Sequence, residues 1–257
     1  MPDAEAEPIS SSALDAILRD HARWLETNGA DGARADLRNA DLRRRDLQKA
    51  DLSGADLRGA DLTRANLLKA RLRRTLLAGA DLTRASLQKA VLDHADLSSA
   101  GLSRVDLQKA DLNHAVLRDV DLTAARLQKA DLTHADLTSS NLTDVNLQAA
   151  NMRRSSLADA NLTDAFLQGA NLTRSDLRAA NLSDACLQDA NAARADLTSA
   201  NLSGANLRMT NLSFANLDDV NLSGAELRLA QSLTQAQLAT AGGDAYTRLP
   251  AGLALAV

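Results

Sequence analysis

An all-β solenoid, wound in parallel coils of twenty residues, is the fold class this sequence predicts. Three observations carry that expectation. First, Leu recurs every five residues from Leu37 to Leu227, over 39 positions without a slip, and only Met152 and Ala192 replace it. Second, the residue two before each of these centres is Ala in 29 of the 39 units. Third, outward residue types return every twenty: Gln88, Gln108, Gln128, Gln148, Gln168 and Gln188 form one series, and Lys49, Lys69, Lys89, Lys109 and Lys129 another. A period of five fits neither the strand period of two nor the helix period of 3.6. One large and one small apolar residue in every five suit a backbone that turns a corner at each unit. Four corners close a coil, so residues twenty apart share one face.

The unit A-[D/N]-L-x-x, as in Ala55-Asp56-Leu57 and Ala80-Asp81-Leu82, resembles the pentapeptide-repeat family from Ala35 to about Ala230. That resemblance implies a right-handed quadrilateral parallel β-helix of nearly ten coils. It also implies that Leu and the Ala two before it point inward while the other three residues point to solvent. With about 4.8 Å between paired strands, the rod is on the order of 45 Å long.

The elements follow in chain order. Residues 1–11 are acidic, have no apolar run and are expected to be disordered. Residues 12–30 read as a capping helix. Ser12 with Asp15 three residues on resembles a capping box, Leu14, Ile17, Leu18 and Leu25 make one face, and Gly29 is the stop. This helix would cover the open end of the first coil. Residues 31–230 form the β-helix. Residues 231–257 hold a short helix near Thr234 to Ala241, then Gly242-Gly243 and a tail that caps the last coil.

Composition narrows the function. The 257 residues hold two Phe, one Tyr and one Trp, so the core must be built of repeated small units. No basic start with an apolar run marks a signal peptide, and no stretch approaches the roughly 18 apolar residues of a membrane span. Cys186 is the single cysteine, which fits a reducing compartment. The expected location is cytoplasmic, and the tail is of the kind seen in bacterial family members.

Charge runs in columns. Asp41, Asp61, Asp81 and Asp121 give way to Asn141, Asn161, Asn181, Asn201 and Asn221. Three residues downstream, Arg44, Arg64, Arg84 and Arg104 give way to Ala124, Asp144, Asp164 and Asp184. Like charges about 4.8 Å apart repel by roughly 1 kcal/mol in water. An Asp stack therefore wants a cation stack beside it, and Asn replaces Asp where cations end. Residues 31–135 hold 19 Lys/Arg and 15 Asp, against 7 Arg and 11 Asp/Glu over 136–230.

His94, His114 and His134 form a column flanked by Arg74 and Arg154. Three His invite a zinc reading, but metal ligands must converge on one point and stacked side chains project side by side. An exposed imidazole ladder, or a basic stripe for phosphate, are the remaining readings. Among outward apolar residues, Phe166 and Cys186 are column neighbours, either a partner or dimer contact or without a role. Met209 and Phe214 are expected to touch the C-terminal tail.

No catalytic constellation, phosphate loop, cofactor motif or base-stacking platform stands out. The expected function is a non-enzymatic scaffold for protein–protein interaction, without cofactor, metal or direct nucleic-acid contact. A homodimer through a terminal coil is a further expectation. The resemblance implies an alternative: a DNA mimic that modulates type II topoisomerase, through gyrase inhibition or drug protection. The Arg and Lys columns confine a continuous acidic face to the stretch beyond about residue 136, where Asp144, Asp164 and Asp184 align.

Overall fold

The structure, a computed structural model, describes residues 9–255. The expected disordered segment 1–11 lies mostly outside them, and its last residues belong to the first helix. Helix α1 runs Ser11–Glu26. Its N-cap is Ser10 and not Ser12: Ser10 is extended, and its Oγ accepts from the Ala13 N–H at 3.2 Å. Asp15 therefore lies inside the helix and closes no capping box. The helix also stops short of residue 30, because Asn28 and Gly29 take left-handed φ of 53° and 88°. The Gly29 N–H bonds the Trp24 carbonyl at 2.8 Å and closes the end.

The chain then passes close beneath α1. A Cβ on Gly32 would sit 2.2 Å from the Asp20 carbonyl oxygen, so only glycine fits there. Leu14 and His21 are buried, and Ile17 and Leu18 pack on the core. The Ala35 N–H donates to Nδ1 of His21 at 3.1 Å. Arg45, which stands where the repeat has Ala, donates to Ser11 Oγ at 2.9 Å and to the Ile9 carbonyl. The irregular residue of the first coil is thus the one that ties the coil to the helix.

From residue 36 onward the protein is a parallel β-helix. Each unit contributes a single-residue parallel bridge to the residue twenty further on, as in Asp41↔Asp61 and Asp61↔Asp81. Two turn residues follow every bridge, so extended runs stay too short to grow into longer strands. The turn closes through a bond such as Ala60 N–H to Leu57 O at 3.1 Å. Its third position has positive φ in nearly every unit, from 52° at Arg74 to 71° at Gly54, as a type II turn requires.

The residue before each Leu explains its own identity. Its Oδ1 accepts the backbone N–H two residues on, as in Thr63 to Asp61 at 2.9 Å and Thr163 to Asn161 at 3.2 Å. This local turn is a reason for Asp or Asn independent of any partner column. Inside, the Leu centres and the residues two before them form one continuous buried stack. Where Ser or Thr replaces that Ala, its hydroxyl finds a carbonyl: Thr75 bonds Leu52 O at 2.8 Å, and Ser175 bonds Leu172 O at 2.7 Å.

The far end is closed by the tail. The expected helix over 234–241 is only a short 3-10 turn, Ala236–Leu238, with Leu238 fully buried. Gly242 and Arg248 then pair with Asn221 and Glu226 as two further bridges. The Gln237 side chain donates to the carbonyls of Leu212 and Ala215 at 2.8 and 2.9 Å. The last coil's carbonyls are thereby satisfied without a long helix.

Candidate interaction surfaces

The left-handed third turn position decides which charges meet. It aims that side chain away from the residue before Leu, so the Arg44–Arg104 column does not pair with the Asp41–Asp121 column, contrary to expectation. Arg at the preceding position pairs instead. Arg43 donates to Asp41 at 2.7 Å, Arg58 to Asp56 at 2.6 Å and Arg178 to Asp176 at 2.6 Å. These contacts have electrostatic consequences: the guanidinium of Arg38 holds the carboxyl of Asp36, and that of Arg43 the carboxyl of Asp41, at about 2. Among the described residues Asp81 and Asp121 have no such cation and accept from Thr83 N–H at 2.8 Å and Thr123 Oγ1 at 2.5 Å.

The Asn ladder is present. Asn181 donates to Asn161 at 3.3 Å, Asn201 to Asn181 at 2.9 Å and Asn221 to Asn201 at 3.0 Å. A parallel ladder climbs a second face, two units further along the coil, from Asn151 through Asn171, at 3.1 Å. Amides stack here because each can donate upward while its oxygen still closes the local turn.

The imidazoles stack as well. His94 and His114 are 4.9 Å apart centroid to centroid, and His114 and His134 are 4.7 Å apart with planes 2° from parallel. Their nitrogens project side by side and do not converge, a poor arrangement for one metal ion. Arg74 stands at one end of this column and Arg154 at the other. Desolvation by its stacked neighbours, then the charges of His114, Arg154 and Arg153, push the exposed His134 below its ordinary value.

Phe166 and Cys186 are bridged neighbours as expected, with Phe166 43% exposed. Met209 and Phe214 depart from expectation. Phe214 is 79% exposed and Met209 46%, so the tail leaves both open. The tail's path is fixed by its bridges to Asn221 and Glu226, and Phe214 instead lies under the guanidinium of Arg194, 5.5 Å from its ring centre. With Ser232, Thr234 and Gln237 it lines an open pocket of about 440 Å³.

Along one face, Arg44, Arg64, Arg84 and Arg104 border an open groove of about 640 Å³ that ends at Ala124 and Asp144. Thr63, Thr83, Ser103 and Thr123 form its other wall. Sequence reasoning found the columns but missed that, among the described residues, Arg44, Arg64, Arg84 and Arg104 make no ion pair, since nothing in the residue types announces the left-handed turn.

The family model for pentapeptide repeats matches nine overlapping segments, 46–77, 65–100, 76–113, 100–138, 140–178, 155–191, 175–213, 195–231 and 206–240. The chain belongs to the pentapeptide-repeat family. Among solved structures, this pentapeptide-repeat chain is similar to HetL, described as involved in heterocyst differentiation regulation in the cyanobacterium Nostoc sp. strain PCC 7120. Identity is 34% over 79% of this chain and 94% of that one, with a TM-score of 0.65. Rfr23 from the cyanobacterium Cyanothece 51142 matches at 38% identity over 35% of this chain and 58% of its own, with a TM-score of 0.20. Full-length QnrB1, described as a plasmid-mediated fluoroquinolone resistance protein, matches at 16% identity over 70% and 92%, with a TM-score of 0.35. No curated protein matches the sequence. Among the described residues no helix is long and apolar enough to cross a membrane.

Proposed function

We propose that this protein is a non-enzymatic, rigid scaffold that presents columns of side chains to a protein partner in the cytoplasm of a bacterium. On this reading the rod is a quadrilateral coil of nearly ten turns over residues 31–230, with 12–30 and 231–257 as end caps. One observation carries the proposal: the interior is a continuous stack of Leu and Ala broken only by a few Ser and Thr bonded to backbone carbonyls, while the charged side chains of the coils lie outward and repeat in register. A rod of this kind keeps its shape on binding, so recognition depends on column chemistry and not on induced fit.

The test is affinity capture from the native host. The intact rod is compared with a variant carrying Phe166→Ala and Asp144→Asn, Asp164→Asn and Asp184→Asn. The scaffold reading expects a protein retained by the rod. Release of that protein by the variant would assign it to this face. Turnover of a small molecule by the purified protein would overturn the reading.

A second reading has one specific support. Asp144, Asp164 and Asp184 form an acidic column that makes no ion pair among the described residues, which could stand in for duplex phosphates on type II topoisomerase. Supercoiling by purified gyrase in stepwise excess of protein decides it. Inhibition abolished by the three Asp→Asn changes supports mimicry, and absence of inhibition at every dose rejects it.

A further inference from the structure

One column of the rod is complementary to itself when reversed. Its rungs are Arg44, Arg64, Arg84, Arg104, Ala124, Asp144, Asp164, Asp184 and Gly204. Their backbone ladder is unbroken: Arg64 N–H to Thr83 O at 3.0 Å, Arg104 N–H to Thr123 O at 2.9 Å, Ala124 N–H to Thr143 O at 2.9 Å and Asp164 N–H to Ser183 O at 3.1 Å. The rungs are therefore evenly spaced, at the 4.7–4.9 Å seen between the stacked imidazoles. About Ala124 the charges are mirror images of opposite sign. Arg104 and Asp144 are one rung away, Arg84 and Asp164 two, and Arg64 and Asp184 three.

These charges have no partners at home. Among the described residues, none of Arg64, Arg84, Arg104, Asp144, Asp164 and Asp184 makes an ion pair or a side-chain hydrogen bond. Most other arginines of the basic half do, including Arg58, Arg71, Arg73, Arg118 and Arg126. Arg104 and its own Asp144 stand two rungs apart, about 9–10 Å, with Ala124 between them, and they do not pair in the structure. The threonine and serine row beside the arginines is short, and the groove along it is open over about 640 Å³.

We propose that the occupant of this groove is a second copy of the chain, laid antiparallel across a twofold axis through Ala124. Each rod then places Arg64, Arg84 and Arg104 against Asp184, Asp164 and Asp144 of its mate, and the mate returns the same three pairs. This is the isologous contact that twofold symmetry demands: one patch on both subunits. Charge sets orientation and register. A parallel arrangement in register faces Arg with Arg. Slipping one rung toward the N-terminus brings the two Arg104 side chains within one rung of each other. Slipping one rung the other way leaves two pairs per side. Ala124 has no side chain beyond Cβ, so the rods can approach at the axis. The same contact covers the acidic column on which topoisomerase mimicry would rely, so the two uses exclude each other.

Sedimentation of the full chain at several concentrations tests this. At low ionic strength the expected species has about twice the 27.2 kDa chain mass, and added salt returns it to monomer. Two variants reverse the column by halves. The first carries Arg64→Asp, Arg84→Asp and Arg104→Asp; the second carries Asp144→Arg, Asp164→Arg and Asp184→Arg. Each alone is expected to weaken self-association on the order of a hundredfold. Mixed in equal amounts, they are expected to form heterodimers, which misfolded variants would not. Ala124→Cys, in a Cys186→Ser background, should form a symmetric disulfide between two chains. A wild-type chain that stays monomeric at every concentration overturns the proposal. So does a dimer that survives both reversals, which would place the contact at a terminal coil, and so does a mixture that stays monomeric.

Discussion

His134 sits at the end of a face-to-face imidazole stack, against His114 at 4.7 Å and beside Arg154 and Arg153. Desolvation by its stacked neighbours and those charges disfavour its protonation in the folded state. The unfolded chain, with the ordinary value of 6.5, binds more protons in that range, so stability is full above it and falls as pH drops through it. His21 acts with the same sign: burial lowers it, against an opposing pull from Asp51. Asp36 and Asp41 are held at about 2 and respond only in much stronger acid, so the window below 6.5 and above the carboxylate range belongs to the imidazoles. Thermal melts should show stability declining across that window, and His134→Gln should flatten the slope. An NMR titration midpoint for His134 at or above its ordinary value would contradict the effect of the stack. A second residue-scale expectation concerns Thr123. Its period marks it as outward and replaceable at a cost under about 0.5 kcal/mol. In the structure it donates to Asp121 at 2.5 Å and accepts from Asn141 at 2.9 Å. Thr123→Ala should therefore lose about 1 kcal/mol in urea melts, well below the roughly 2–5 kcal/mol expected for the buried Leu122→Ala. Equal losses at the two sites would undo the inward/outward assignment.

At the level of the five-residue unit, the inward pair was legible because burial selects residue size: Leu at each centre, Ala or another small residue two before it. The left-handed turn was not legible. Arg, Lys and His fill its third position in 16 units against seven for Gly or Asn, although an L side chain there costs about 1–2 kcal/mol against its right-handed form. The ladder bonds on both sides hold the turn and override the local preference. Ala149 shows the cost without compensation: φ is 54° and its methyl is exposed. Ala149→Gly should raise stability by about 0.5–1 kcal/mol, and a loss would mean that the methyl packs on its neighbours in the column. The columns themselves could be read from spacing alone. Which column pairs with which could not, because pairing depends on the direction of that φ. Ala192 raises a matching question inside the rod. The backbone there is regular, with Ala192 N–H on Asn211 O at 2.9 Å and Arg194 N–H on Ser213 O at 2.8 Å. With no bulge to accommodate, Ala192→Leu should stabilise by about 1–3 kcal/mol. A clear loss in the melt would show that Met152 and the neighbouring Leu side chains have already filled the space.

For the whole molecule, the governing problem is two open ends. A solenoid pairs every interior coil on both sides, but its terminal coils each expose a row of unpaired backbone groups, which invites edge-to-edge association. The sequence indicated that both ends are covered. It did not indicate how, since neither cover follows the repeat. At the N-terminal end α1 lies across the first coil, anchored by Leu14, by His21 on Ala35 and by Arg45 on Ser11. At the other end the tail extends the ladder: Leu222 N–H bonds Gly242 O at 2.8 Å, and Leu227 N–H bonds Arg248 O at 2.7 Å. Two side chains complete the seal, Thr247 on Leu222 O at 2.9 Å and Gln237 on Leu212 O at 2.8 Å. Nearest-neighbour coupling makes the rod's stability a sum over interfaces, so losing the tail removes one interface and frees one edge, while distant coils keep their contacts. A chain truncated after Ala230 should keep most of its β-rich circular dichroism and melt earlier. It should also associate into open-ended species that grow with concentration, detectable by light scattering. Such growth is distinct from a closed dimer and should persist in high salt, since backbone pairing and not charge drives it. A truncated chain as soluble and as stable as the intact one would show that the tail merely lies against the last coil and does not cap it.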